Sequence, residues 1–167
     1  MRFKQKSVVV TGGAKGLGKA MAKAFLDEGA SVAVNGRSKD AIARFQEEFK
    51  DKPVLAFNAD VTDYESMEGM ASRVADAWGK IDILINNAGI VNPLVPSEKM
   101  KKEDFDRTID VNLKGAFYAA QIFGRRMIEA KSGRIINIAS QVALFGEKGF
   151  MPYALSKGAL TVMTRGL

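Results

Sequence analysis

Short apolar runs alternate along this chain with longer stretches in which apolar residues recur at helical spacing. The runs that predict β-strands cover residues 7–10, 31–35, 54–58, 81–86 and 134–139, and the stretches that predict helices cover residues 17–28, 40–49, 65–78 and 103–130. Such alternation is typical of a parallel sheet with right-handed crossovers. We therefore expect an α/β fold, with a doubly wound parallel sheet flanked by helices on both faces.

The composition is that of an ordinary globular domain, because 47% of the 167 residues are apolar and 26% are charged. No internal repeat, low-complexity tract or linker divides the chain. We expect residues 1–167 to form a single domain that ends inside a helix carrying Tyr153 and Lys157.

Cysteine and histidine are both absent. Their absence excludes disulfides, thiolate or imidazole metal ligands and Ser-His-Asp catalysis, so we expect no metal site. Proton transfer would then depend on Tyr, Lys or a carboxylate. A chain without cysteine is also compatible with a reducing cytoplasm, which we expect as its location.

The formal net charge is +6, but the basic residues are spread along the chain. This distribution does not favour nucleic acid as a partner. The apolar run after the basic N-terminus is too short for a signal peptide, and no other stretch approaches a membrane span. We expect no membrane association.

Polar residues and glycines lie at the end of every predicted strand. They are Thr11-Gly12, Asn35-Gly36-Arg37, Asp60-Val61, Asn86-Asn87-Ala88-Gly89 and Ser140, in strand order. In open α/β sheets, ligands bind beyond the carboxyl ends of the strands. These residues are therefore expected to surround one ligand crevice.

The turn after the first strand has glycines in a G-x-x-x-G-x-G spacing, at Gly12, Gly16 and Gly18. A strand, a glycine turn and a helix start together favour phosphate binding by backbone N–H groups and the helix dipole. Two alternatives remain open. Residues 13–19 match most of a nucleotide-triphosphatase loop, although Ala20 stands where a magnesium-binding Ser or Thr is needed. The turn could also need its glycines only for positive φ.

Near the other end of the chain, Tyr153 and Lys157 lie one helical turn apart on the same face. Together with Thr11-Gly-x-x-x-Gly16-x-Gly18, Asn87-Ala88-Gly89 and Ser140, the Tyr-x-x-x-Lys pair resembles the short-chain dehydrogenase/reductase family in order and spacing. The resemblance covers the whole chain and implies a Rossmann-like sheet. It also implies an oxidoreductase that interconverts a ketone or aldehyde with an alcohol by hydride transfer.

The resemblance implies four catalytic residues. Tyr153 would give a proton to the carbonyl or accept one from the alcohol, and Lys157 would stabilise the phenolate and bond the nicotinamide ribose. Ser140 would hydrogen-bond the substrate oxygen. Asn112 would steady a water that relays protons to the lysine, although an asparagine inside a helix can instead bond backbone. Tyr153 could likewise be a surface aromatic.

Cofactor choice depends on the end of the second strand, where NAD-preferring folds carry an acid and NADP-preferring ones an arginine. Here the chain has Asn35, Arg37 and Ser38, with no carboxylate, and Lys15 would supply a second cation. We therefore expect NADP(H) in preference to NAD(H). By the same resemblance, Asp60 and Val61 would contact adenine.

The full set of expected cofactor-binding residues follows from these arguments. It consists of Thr11, Gly12, Lys15, Gly16, Leu17, Gly18, Asn35, Arg37, Ser38, Asp60, Val61, Asn87, Ala88, Gly89, Tyr153 and Lys157.

Members of the resembled family continue beyond the Tyr-Lys helix with two more strands and a substrate lid, so we expect a C-terminally truncated sheet. The segments left to contact substrate, 91–94 and 141–145 with Met151, are mostly apolar. They suit a medium-sized ketone. The resemblance implies a small-molecule carbonyl or alcohol as substrate, of the 3-oxoacyl thioester or the sugar and polyol type. Two alternatives are a fragment that binds NADP(H) without turnover and a structural half that needs a partner chain.

The resemblance also implies a homo-oligomer, a dimer or tetramer, if the chain is complete. Family members make subunit contacts through the long helix and the Tyr-Lys helix. Phe117, Phe123 and Met127 could serve that interface, although apolar residues at helical spacing more often pack in a core. Tyr64 and Tyr118 match no motif and are interpreted as packing residues.

Overall fold

The computed structural model describes residues 1–92 and 94–167. Its strands are β1 (Ser7–Val10), β2 (Ser31–Gly36), β3 (Val54–Asn58), β4 (Ile83–Asn86) and β5 (Arg134–Asn137). Its α-helices are α1 (Gly16–Asp27), α2 (Lys39–Glu48), α3 (Tyr64–Trp78), α4 (Lys102–Ile109), α5 (Gly115–Glu129), α6 (Val142–Phe145) and α7 (Met151–Gly166). A 3₁₀ turn covers Ser97–Lys99, and a π-helical segment covers Asp110–Lys114.

All described strand pairs are parallel, and the sheet order is β3-β2-β1-β4-β5. The chain starts in the middle of the sheet, moves to one edge through β2 and β3, and then crosses to the other side of β1. This order reverses direction between β1 and β4, which opens a crevice at their carboxyl ends. The predicted doubly wound parallel sheet is confirmed.

The centre of the sheet is buried on both faces, because successive residues of β1 belong to different apolar clusters. Val9 joins Met67, Phe123 and other residues in the cluster that includes α3 and α5. Val8 and Val10 join Leu26, Phe45 and other residues in the cluster that includes α1 and α2. The alternation of side chains across a strand explains why a continuous apolar run is required here.

The helix predicted over 103–130 forms as three joined parts, α4, the π-helical segment and α5. The continuous prediction missed the interruption, because a π turn has no apolar period of its own. The start of α5, just after the π-helical segment, is closely packed. A Cβ on Gly115, the first residue of α5, would lie 2.6 Å from Cγ2 of Val61, so the helix start approaches the end of β3 at a distance that needs glycine.

The first helix, α1, lacks the side-chain cap that α2 and α3 have at their amino ends. Ser38 caps α2 by accepting a hydrogen bond from Ala41 N, and Asp63 caps α3 by accepting one from Ser66 N. The residue before α1 is Lys15, whose side chain makes no capping hydrogen bond to the described residues. The first-turn N–H groups of α1 are therefore left for another acceptor.

Candidate active site

The turn between β1 and α1 packs against the end of β4 at glycine distances. A Cβ on Gly18 would lie 2.5 Å from both Asn87 Nδ2 and Gly12 O, and a Cβ on Gly12 would lie 3.0 Å from Ala88 Cα. Gly16 has φ of +53° and open space around its Cβ position. The turn therefore needs glycine for close approach at positions 12 and 18, and for conformation at 12 and 16. Positive φ alone does not account for all three.

Thr11 connects the same turn to the end of β4. Its Oγ1 accepts hydrogen bonds from the N–H groups of Asn87 and Ala88, both at 3.0 Å, and Asn87 Nδ2 donates to Thr11 O at 2.9 Å. Thr11 is buried. It therefore shapes the crevice from behind, whereas Asn87 and Ala88 line it.

A cleft of about 690 Å³ lies at the carboxyl ends of β1 to β4. Among the predicted cofactor residues, it is lined by Gly12, Lys15, Gly16, Leu17, Gly18, Asn35, Arg37, Ser38, Asp60, Val61, Asn87, Ala88 and Gly89. Gly36, expected at the crevice from its strand end, also lines it, and sequence reasoning missed Ala14, Ala41, Ala59, Ile90 and Val111. Most of these are small or apolar residues next to the predicted ones. Their position near the ends of the strands is the sequence feature that could have identified them as cleft-lining residues.

Asn35 supports the cleft through its amide. Its Oδ1 accepts a hydrogen bond from Gly12 N at 3.2 Å, and its Nδ2 donates to Ala59 O at 2.9 Å. The residue is buried. Asn35 thus ties the glycine turn to the end of β3, a role that the sequence pattern did not indicate.

The rim of the cleft near β2 carries most of its charge. Arg37 and Lys15 are exposed cations, and Asp60 is a half-buried anion whose Oδ2 lies 3.8 Å from Arg37 Nε. Ser38 adds a hydroxyl at the start of α2. Two cations, a hydroxyl and a helix start can together bind an anionic group such as a phosphate.

Lys157 is a buried cation beside Tyr153. Its Nζ donates a hydrogen bond to Ile138 O at 2.6 Å and lies 5.7 Å from the centre of the Tyr153 ring. Only 4% of the lysine is exposed, and burial lowers its pKa from the ordinary value because the charged form loses solvation. Tyr153 is half-buried on the same face of α7.

Asn112 lies in the π-helical segment and is fully buried. Its Oδ1 accepts from Ile90 N and its Nδ2 donates to Ile90 O, both at 2.8 Å, so the amide bonds backbone as the alternative interpretation expected. The same Nδ2 donates to Ser156 Oγ at 3.1 Å, which links Asn112 to α7. A Cβ on Gly89 would lie 3.3 Å from Asn112 Oδ1 and 3.6 Å from Lys157 Nζ, so these groups meet beside Gly89.

Ser140 is half-buried after β5, and its Oγ accepts a weak hydrogen bond from Val142 N at 3.4 Å. This places it at the start of α6, a short helix that sequence reasoning did not predict. A Cβ on Gly158 of α7 would lie 3.8 Å from Ala143 O, so α6 lies against the helix that carries Tyr153.

The segments predicted to contact substrate expose several apolar side chains. Val91, Leu94, Leu144, Phe145 and Met151 are all exposed. Asn92 Nδ2 donates to Gly149 O at 3.3 Å, which joins the first segment to the loop before α7. Position 93 of the predicted segment 91–94 lies outside the described residues.

Lys19, the lysine of the triphosphatase pattern, is turned away from the glycine turn. Its Nζ lies 2.5 Å from Oε2 of Glu48 on α2, and it is not among the described residues that line the cleft. A phosphate-binding loop needs this ammonium at the phosphates. The geometry therefore disfavours the triphosphatase alternative.

The remaining aromatic candidates pack as interpreted. Tyr64 and Tyr118 meet edge to face with ring centres 5.4 Å apart. Phe123 and Met127 are buried in the core, whereas Phe117 is 45% exposed. Of the three residues considered for an interface, Phe117 alone is available at the surface.

Among the described residues, no group of three His, Cys, Asp or Glu side chains is arranged to hold a metal ion. In the same part of the chain, none of the helices has the length and apolar character needed to cross a bilayer.

Comparison with known proteins assigns the chain to a family. The family model described as short chain dehydrogenase matches residues 6–167. The chain is 38% identical over 169 residues to the (2S)-[(R)-hydroxy(phenyl)methyl]succinyl-CoA dehydrogenase subunit BbsD of Thauera aromatica, covering 100% of this chain and 67% of that protein. It is 36% identical to the 3-oxoacyl-[acyl-carrier-protein] reductase FabG of Thermotoga maritima, covering 99% of this chain and 68% of that one.

Among solved structures, NAD⁺-bound xylitol dehydrogenase superposes with a TM-score of 0.94 at 31% identity, covering 98% of this chain and 64% of that one. The chain thus spans about two thirds of the length of the proteins it matches. Sequence, motif order and sheet topology agree, and the chain belongs to the short-chain dehydrogenase family.

Proposed function

We propose that this protein is an NADP(H)-dependent oxidoreductase that interconverts a ketone or aldehyde with an alcohol. The observation that carries the proposal is the meeting of two groups of residues at Gly89. The cleft-lining strand ends reach this point from one side, and the buried Lys157 and Asn112 reach it from the other. A cleft suited to phosphate groups lies next to the phenol of Tyr153 and the ammonium of Lys157. This arrangement suits dinucleotide binding combined with proton transfer.

The cleft fits a dinucleotide by its glycines and its charges. Open space at Gly16 and the uncapped start of α1 leave backbone N–H groups for the pyrophosphate. Arg37, Ser38 and Lys15 would hold a 2′-phosphate, which supports NADP(H) over NAD(H). Asp60 and Val61 would contact adenine, and Asn87, Ala88 and Gly89 would line the rest of the cofactor.

Side chains of this protein would transfer the proton to or from the substrate oxygen. Tyr153 would donate it to the carbonyl oxygen or accept it from the alcohol, and the buried ammonium of Lys157 would stabilise the phenolate. Ser140 would hydrogen-bond the substrate oxygen, and Asn112 would steady a proton-relaying water beside Lys157. The bound nicotinamide would supply or accept the hydride.

The relatives and the exposed apolar side chains beside the cleft support a proposal for the substrate class. Similar proteins are named for 3-oxoacyl thioester reduction and for polyol oxidation. Val91, Phe145 and Met151 offer apolar contact to the part of a substrate next to the carbonyl. We propose a small carbonyl or alcohol of one of these two types.

A second copy of the chain is the proposed protein partner. A largely apolar groove of about 530 Å³ lies between α7 and the end of the π-helical segment with the start of α5, lined by Leu113, Lys114, Phe117, Ala159, Val162 and Met163. Apolar grooves of this kind on exposed helices favour association. We propose that this groove forms a homo-oligomer contact.

The test separates cofactor binding from chemistry. NADPH should raise the melting temperature of the wild-type protein more than NADH at equal concentration, because a ligand that binds only the folded state stabilises it. Tyr153→Phe should keep this shift and lower turnover of ketone and polyol panels at least about 100-fold. Tyr118→Phe removes a hydroxyl from a packing residue and serves as the matched control.

Three results would contradict the proposal in different ways. If neither nucleotide raised the melting temperature, the proposed cofactor site would be wrong. If NADPH and NADH raised it equally, the proposed NADP(H) preference would be wrong. A shift without turnover in the wild-type protein would instead support a binding fragment.

A further inference from the structure

Arg37 and Asp60 face one another across the ends of β2 and β3. The distance from Arg37 Nε to Asp60 Oδ2 is 3.8 Å, and both residues line the cleft. Strand pairing up to Gly36 and Asn58 holds the two backbones side by side. Among the described residues that line the cleft, Asp60 is the one carboxylate.

The carboxylate is held more firmly than the guanidinium. Asp60 Oδ1 accepts hydrogen bonds from Thr62 N and Thr62 Oγ1, both at 2.9 Å, which directs Oδ2 toward the arginine. Asn58 Nδ2 donates to Arg37 O at 2.9 Å and holds the arginine backbone, but the Arg37 side chain is 52% exposed. A long exposed side chain keeps its rotamer freedom, so Arg37 is the member of the pair that can move.

A ligand with a phosphate on its ribose must compete with this carboxylate. Arginine binds phosphate through charge-assisted, often bidentate hydrogen bonds, so the phosphate draws Arg37 away from Asp60 or shares it. A ribose that carries a neutral hydroxyl at the same position does not compete for Arg37 in this way.

We infer that Asp60 limits the preference of the cleft for a 2′-phosphorylated nucleotide by holding Arg37. This inference rests on the proposed function, because it assumes that the cleft binds an adenine nucleotide beside Arg37. Asp60 would then have two roles, the expected contact with adenine and the determination of nucleotide specificity.

The test compares two small nucleotides that differ by the 2′-phosphate. Calorimetric Kd values for 5′-AMP and adenosine 2′,5′-bisphosphate are measured at low ionic strength in wild type, Asp60→Asn, Arg37→Gln and the double variant. Asp60→Asn should raise the preference for the bisphosphate about fivefold, the scale of an exposed ion pair. In the Arg37→Gln background the same change should have a clearly smaller effect.

Control variants guard against folding and general charge effects. Asp76→Asn makes the same charge change on the exposed part of α3 and should leave the preference unaltered. Asp60→Ser keeps an oxygen to accept from Thr62 and replaces Asp60→Asn if that variant does not fold.

Each contrary outcome identifies what has failed. An unchanged or lower preference in the Asp60 variants, with wild-type binding intact, overturns the inference alone. An equal effect with and without Arg37 overturns it as well, because Asp60 would then act without the arginine. Binding of neither nucleotide by the wild-type protein overturns the proposed function, and the inference with it.

Discussion

At the scale of single residues, glycines at the cleft and glycines elsewhere have different physical reasons. Gly18 is enclosed, because a Cβ there would meet Asn87 Nδ2 and Gly12 O at 2.5 Å. Gly69 lies within α3 with open space at its Cβ position and no positive φ. The two positions provide a matched pair for testing whether the close approach of α1 to β4 matters.

Gly18→Ala should destabilise the protein by about 1–3 kcal/mol, the usual cost of forcing a methyl group into a packed site. It should also weaken nucleotide binding, since the glycine turn must move. Gly69→Ala should instead stabilise by about 0.5–1 kcal/mol through helix propensity. Urea unfolding and nucleotide melting shifts measure both effects. A Gly18→Ala variant with wild-type stability and binding would contradict the close packing of the turn.

At the scale of elements, an ion-pair network joins β1 and β4 at the end of the sheet opposite the cleft. Asp82 is buried, and it accepts hydrogen bonds from Lys6 Nζ at 2.8 Å and Ser7 N at 3.0 Å. Lys80 Nζ lies 3.1 Å from the same carboxylate. Burial alone would raise the pKa of Asp82, but the bonds from Lys6, Ser7 and Lys80 outweigh it and lower the pKa below 3.8.

The sign of the pH dependence follows from this lowered pKa. In the unfolded chain the carboxyl binds its proton more readily, so its contribution to stability is full above pH 3.8 and is lost as the pH falls through the lower folded value. Asp82→Asn should cost about 1–3 kcal/mol near neutral pH, because the charged hydrogen bonds are lost.

The stability difference between wild type and Asp82→Asn should therefore shrink as acid is added. Denaturant unfolding from about pH 7 to about pH 2 measures it. Asp76→Asn, on the exposed part of α3, is the control for general charge effects. A difference that stayed constant across this range would show that the network does not hold the carboxylate ionised.

At the scale of the whole molecule, the two long helices that border the proposed catalytic residues also form the apolar groove at the surface. Phe117 on α5 and Val162 on α7 are both exposed within it. Association through this groove would cover apolar surface and brace α7, the helix that carries Tyr153 and Lys157. The oligomeric state and the stability of the site are therefore expected to change together.

Val162→Lys should shift the protein toward monomer, because the new ammonium would lose solvation in an apolar contact whose lining already includes the cation Lys114. Sedimentation velocity over a range of concentrations measures the shift. Ile128→Lys places the same charge on α5 at a position 77% exposed and outside the groove, and it should leave association unchanged. If the wild-type protein stayed monomeric at every concentration, the proposal that the groove is a contact between copies would be wrong.

The sequence by itself determined the elements, the sheet and the family. Apolar periodicity is local, so the strands and most helices could be predicted to within a residue or two, and alternation of strand and helix dictated a parallel sheet. The expected cofactor residues at the strand ends could be listed for the same reason. Parallel strands bring their carboxyl ends to one edge, and nearly all of those residues line the cleft.

Tertiary structure decided what each side chain contacts. Asn35 turned inward to join Gly12 and Ala59, Asn112 bonded Ile90 from a π-helical segment, and Arg37 met Asp60 across two strands. These contacts join residues more than 20 positions apart, and no local pattern encodes them. The burial that lowers the pKa of Lys157 is likewise a property of packed neighbours, which exist only once the fold has formed.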